Sequence, residues 1–149
     1  MKKIFLSVAI LAVGILNAQI QTPVHWIFTA KKINPTTYEL HLTATIESGW
    51  HTYSQTTPAG GPVPTAINFS KNPLATFTGT VKEVGKLEQH AEPLFGVDVK
   101  QFSNKLDLVQ IIKLKAPVKT NITGSVEFMV CNDHECLPPS TQKFSIAIN

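Results

Sequence analysis

The sequence predicts an all-β domain, an immunoglobulin-like antiparallel β-sandwich, on three observations. Apolar and polar residues alternate with a period of two in several segments, as half-buried strands require. Turn-forming residues punctuate the chain roughly every ten positions, the rhythm of a sandwich of short strands. No window repeats apolar residues at a three-to-four spacing, so helix content should be low.

Taken in chain order, the elements are legible one by one. After the turn signal Asn34-Pro35, Tyr38, Leu40, Leu42, Ala44 and Ile46 form one face of a strand. Glu39, His41, Thr43, Thr45 and Glu47 form the other, and Ser48-Gly49 closes it. The Pro58-to-Pro64 stretch, Asn72-Pro73, Gly79, Gly85 and Gly96 mark further turns. Leu106 to Leu114 is almost continuously apolar, which suggests a central strand. Ala116-Pro117 and Gly124 are read as the next turns. Val126, Phe128 and Val130 then alternate with Glu127 and Met129 up to Cys131, and Phe144, Ile146 and Ile148 alternate with Ser145 and Ala147. Without an internal repeat or a low-complexity linker, residues 19–149 should be one domain, long enough to bury a core.

The first 18 residues are set apart from that domain. Lys2 and Lys3 precede an apolar run from Ile4 to Leu16, and Asn17-Ala18 offers a small-residue cleavage point. This reads as a secretory signal peptide over 1–18, so the mature chain is expected to be exported. The run is short for a bilayer span and no later segment approaches the required length of about 18–20 residues, so no stable membrane insertion is expected. Of 13 basic residues, Lys2 and Lys3 leave with the signal, and the remaining 11 face 10 acidic residues. The chain has no arginine and its lysines are scattered, which argues against a nucleic-acid or phosphate partner. There is no Ser/His/Asp arrangement, phosphate loop or amphipathic membrane helix, and no cofactor is called for. A monomer is expected. Asn121-Ile122-Thr123 matches a glycosylation acceptor pattern, taken as chance in a bacterial-type exported protein. His25, His41, His51 and His90 read as dispersed, surface or half-buried residues.

The chemistry lies in Cys131 and Cys136, five positions apart. A strand runs into Cys131, Asn132, Asp133, His134 and Glu135 make a polar connection, and Cys136 opens the return, stiffened by Pro138-Pro139. Facing residues of an antiparallel pair lie about 4.5–5.5 Å apart, within disulfide range, so a local bridge is plausible. It can be a structural staple, yet a loop this short gains only about 2 kcal/mol from chain entropy. The solvated flanks suit thiol–disulfide exchange: His134 would favour a thiolate, whereas Asp133 and Glu135 oppose it. A soft-metal site for Cu(I) or Zn(II) at the two thiols and His134 is a third reading, weakened by the spacing and by the lack of a second Cys/His pair.

Several segments in order resemble one family. Gly49-Trp50-His51-Thr52-Tyr53-Ser54-Gln55, Gly60-Gly61-Pro62-Val63-Pro64-Thr65, Phe95-Gly96 and the cysteine segment ending Leu137-Pro138-Pro139 are similar to the N-terminal (alpha) domain of the membrane thiol:disulfide interchange protein DsbD. The resemblance covers nearly the whole mature region. It implies an immunoglobulin-like periplasmic domain that receives electrons from a thioredoxin-like donor. These pass to periplasmic disulfide proteins, in disulfide correction or cytochrome c biogenesis, as part of a protein-disulfide reductase system. It also implies that Cys136 is the exchanging residue and Cys131 the resolving one. A cap loop is implied at Glu92-Pro93-Leu94-Phe95-Gly96, with Leu94 or Phe95 shielding the cysteines. Tyr53 is implied to line the site, with an edge-of-core tyrosine the other reading, and Trp50 is expected in the core.

Two departures bear on this expectation. The cysteine spacing is one residue shorter than in the best-known members, and a stand-alone domain is expected, without the family's transmembrane and C-terminal thioredoxin-like domains. A relay domain of this kind is expected to meet its donor in trans. The rival function is a non-catalytic immunoglobulin-like binding module with a structural disulfide.

Overall fold

Ten strands and no helix make up residues 21–92 and 95–149, which the computed structural model describes; residues 1–20 and 93–94, and with them the expected signal peptide and Leu94, lie outside the described residues. The strands are β1 (Val24–Asn34), β2 (Thr37–Ile46), β3 (His51–Tyr53), β4 (Ala66–Phe69), β5 (Ala75–Val84), β6 (Leu87–Glu92), β7 (Val97–Ser103), β8 (Lys105–Leu114), β9 (Thr120–Cys131) and β10 (Cys136–Ile148). One sheet has the order β1-β2-β8-β5. The other runs β10-β9-β3-β7-β6, with β4 also paired to β9. Every pairing is antiparallel. The protein is an immunoglobulin-like two-sheet sandwich.

Alternation decides which side chains meet between the sheets. Tyr38, Leu40, Leu42, Ala44 and Ile46 are all buried, as are Leu106, Leu108, Ile112 and Leu114 of the central strand β8. The second sheet supplies Ile122, Val126, Phe128 and Val130 from β9 and Phe144, Ile146 and Ile148 from β10. Burying side chains of this size stabilises the fold by about 1.5–3 kcal/mol each before entropy is counted. Trp50 is partly buried against this cluster.

Two glycines read as turns serve other purposes. Gly79 lies within β5, where the register to β8 shifts between Thr78 and Lys82 and the backbone takes a φ of 70°. This is a bulge, and the buried Gln110 answers it by donating from Nε2 to the Thr78 carbonyl at 2.9 Å. Gly124 lies mid-strand in β9, opposite both Phe69 and Phe144. A Cβ there would collide with the Asn68 carbonyl oxygen and lie 2.6 Å from Phe144 Cζ. It is glycine because neighbouring atoms occupy the place of a side chain. Pro138 and Pro139 sit in the edge strand β10, where the register shifts between Leu137 and Ser140, so no ladder hydrogen bond is asked of them.

Candidate redox site

The site begins with a hairpin tip. Asn132 N–H donates to the Glu135 carbonyl at 2.9 Å. The Asn132 Oδ1 accepts from the backbone N–H groups of both His134 and Glu135, each at 2.8 Å. An asparagine side chain thus closes the turn by standing in for backbone acceptors. The next pair outward is Cys131 and Cys136, directly opposed in the ladder and joined by a disulfide, with Cα atoms 4.0 Å apart. Opposed residues flanking a hydrogen-bonded pair approach most closely, so the local turn brings the two sulfurs together.

The two cysteines differ in setting. Cys131 is 2% exposed and packs with Tyr53 and Val99, on the outer face of its sheet, with Val97 and Met129 beside them. Cys136 is exposed. This outer cluster is separate from the main core, because Val130, one residue earlier, points between the sheets.

The neighbouring strands furnish the rest of the site. His51 in β3 pairs with Cys131 in β9 and with Ser103 in β7. Tyr53, two positions on, shares its face and pairs with Gln101. The Tyr53 hydroxyl and His51 Nε2 lie 3.1 Å apart, and the rings meet edge to face. Thr52, between them, points the other way and donates its hydroxyl to the Met129 carbonyl. A cleft of about 520 Å³ opens here, bounded by the disulfide hairpin, His51, Tyr53, Gln101, His90 and Phe95. Phe95, 37% exposed, stands on the connection from β6 to β7 beside Gly96, whose φ of 66° makes that turn.

His134, like Asp133 and Glu135, is exposed on the tip and borders the cleft. On the far side Glu88 pairs with Gln101. Its carboxyl is held below the usual carboxylate range, first by the Ser103 hydroxyl, then by Lys86, and more weakly by the Gln101 side chain. Among the described residues no group of three or more His, Cys, Asp or Glu is placed to hold a metal ion.

Cys131, Cys136, Tyr53, Phe95 and His134 therefore border one cleft, with Gly96 at the turn beside it, while Leu94 lies outside the described residues. The histidines are not all dispersed: His51 and His90, far apart in sequence, meet at this cleft because β7 lies between their strands. His41 does stay on the opposite sheet, between Asp107 at 2.7 Å and Glu39 at 3.0 Å. Sequence reading missed His51, His90, Gln101 and Asn132. The period-two relation of His51 to Tyr53 was available to find the first of them.

The family model for the N-terminal region of thiol:disulfide interchange protein DsbD matches residues 18–148. The chain belongs to this family. No curated protein sequence matches it. Solved structures give further likenesses at low identity. The N-terminal periplasmic domain of ScsB from Proteus mirabilis is 13% identical, with a TM-score of 0.48, over 84% of this chain and 44% of that one. The reduced DsbD N-terminal domain of Neisseria meningitidis is 15% identical, with a TM-score of 0.47, over 83% and 86%. A complex between the DsbD and PilB N-terminal domains of the same organism gives 11% identity and a TM-score of 0.51, over 85% and 87%. The last shows the shared sandwich fold. Among the described residues of the domain, no helix is long and apolar enough to cross a membrane.

Proposed function

We propose that the domain is a periplasmic thiol:disulfide exchange module acting through Cys131 and Cys136. The observation that carries this is the unequal exposure of the two bonded cysteines at the edge of one cleft: Cys136 exposed, Cys131 buried against Tyr53 and Val99. Exchange needs one sulfur that an incoming thiolate can reach and a second, held close, that leaves and later returns. Membership of the DsbD N-terminal family supports the same reading.

A donor thiolate attacks Cys136 Sγ, the Cys131–Cys136 bond breaks, and Cys131 leaves as a thiolate that takes a proton. The donor's second thiolate attacks its own sulfur in the mixed disulfide and releases Cys136. The domain is then a dithiol and the donor a disulfide. With an acceptor the sequence reverses: Cys136 attacks the acceptor disulfide, and Cys131 closes on Cys136, releasing the acceptor reduced. Two electrons pass per cycle. The donor is a thioredoxin-like protein met in trans, the acceptors are periplasmic disulfide proteins, and cytochrome c maturation is one use of the electrons. A protein partner is supported by the DsbD N-terminal domain solved in complex with a PilB N-terminal domain. Phe95 belongs to a cap that partner docking displaces, and residues 1–18 direct export.

Trapping tests this. A thioredoxin lacking its resolving cysteine is incubated under mild oxidation with Cys131→Ser or Cys136→Ser protein, and adducts are read by mass spectrometry. The Cys131→Ser protein should form a mixed disulfide through Cys136, and the Cys136→Ser protein should form little. Absence of adduct from both would leave the binding module with a structural bridge.

A further inference from the structure

The floor of the cleft holds a hydrogen-bond acceptor with nothing to accept. Gln101 is 9% exposed, and its Oε1 is fully buried with no hydrogen-bond partner among the described residues. A buried, unsatisfied carboxamide oxygen costs about 1–3 kcal/mol, so it calls for an explanation where it occurs.

The orientation of that oxygen is fixed by chemistry. Gln101 faces Glu88 across the β6–β7 ladder, and its side chain helps to hold the Glu88 carboxyl below its usual range, after the larger effects of Ser103 and Lys86. The Ser103 hydroxyl donates to Glu88 Oε2 at 3.1 Å, and Lys86 Nζ lies 3.3 Å from Oε1. A charged carboxylate only accepts hydrogen bonds. The amide nitrogen of Gln101 must therefore be the end turned to Glu88, since the oxygen there would meet a like partial charge. Turning the amide over is disfavoured, and Oε1 is left pointing away from Glu88. On that side stands Tyr53, the β3 partner of Gln101, and the cleft that Cys136 borders.

We infer that Gln101 is a partner-recognition residue, whose Oε1 accepts a main-chain N–H from the protein segment that enters the cleft to exchange with Cys136. This rests on the exchange reading above. An extended segment laid against the disulfide hairpin brings main-chain N–H groups out of water, each of which then needs an acceptor. Oε1 offers one at a fixed place, reached once the entering segment displaces the side chains that cover it. Glu88 is the positioning residue behind it, with no contact to the partner required. Small thiol reductants carry no peptide group and gain nothing from this oxygen.

The test compares two reductants on the full chain. Rates of disulfide opening are measured with reduced thioredoxin and with dithiothreitol, for the wild type, for Gln101→Met, which keeps the volume and loses the acceptor, and for Glu88→Ala. The expected result is a fall of about tenfold in the thioredoxin-to-dithiothreitol rate ratio for Gln101→Met, the worth of one hydrogen bond. Glu88→Ala should give a smaller fall in the same direction. The loss should lie in the apparent KM for thioredoxin rather than in the limiting rate. An unchanged ratio overturns the assignment and leaves Oε1 to a bound water only. A wild-type pair that thioredoxin leaves oxidised overturns the exchange reading and this inference together. A second measurement needs no cleft variant: in the mixed disulfide trapped through Cys136, the Gln101 13Cδ resonance should move downfield as Oε1 gains a donor. A resonance that stays in place overturns the inference.

Discussion

Cys131 and Cys136 are directly opposed across the β9–β10 hairpin, yet one is buried against Tyr53 and the other open to solvent. The asymmetry follows from position. Cys131 is the last residue of a strand lying between two others, whereas Cys136 is the first residue of an edge strand. Once the bond is reduced, iodoacetamide should modify Cys136 at least about tenfold faster than Cys131, since burial raises a thiol's pKa and blocks access. Peptide mapping of briefly alkylated protein measures the ratio. Equal labelling would mean that the hairpin opens on reduction.

Reducing the bridge should cost little stability. The loop it closes spans five positions, and the main core draws on neither cysteine. Urea unfolding of oxidised and reduced protein should differ by about 2 kcal/mol. A much larger loss would identify a structural staple.

Asn132 shapes the tip, so its removal should loosen the redox hairpin while sparing the rest. Asn132→Ala deletes an acceptor that serves two backbone N–H groups. A loss of about 1–2 kcal/mol is expected, with faster hydrogen exchange at the His134 and Glu135 amides. Unchanged protection at those two amides would show that the turn holds without its side chain.

At Gly124 a side chain costs stability through crowding, not through backbone conformation as at the positive-φ glycines. Gly124→Ala places a methyl group against the Asn68 carbonyl and the Phe144 ring, and overpacking should destabilise the domain by about 1–3 kcal/mol. Urea unfolding measures this, and a neutral substitution would mean that β4 and Phe144 give way freely.

How far these features were legible in the sequence depended on whether they were local. The β2 residues Tyr38 to Ile46 alternate strictly, and burial repeats that pattern residue for residue because one sheet face meets the core. The hairpin was legible because Cys131 and Cys136 are separated by a short polar run. Gly124 was not, since its meaning lies in Phe69 and Phe144, which come from different strands. Gln101 and His90 were hidden for the same reason: only the β6-β7-β3 order carries them to the cysteine cleft. Gln110 interrupts an otherwise apolar inward row, and its purpose appears only beside the β5 bulge that it caps.

The measurement that bears most directly on the central claim is the reduction potential of the Cys131/Cys136 pair, obtained by equilibration against defined glutathione buffers. Exchange through an accessible, locally closed disulfide predicts a value near about −230 mV, within reach of thioredoxin-like donors. A value below about −300 mV would mark a bridge built to resist reduction and would contradict the account.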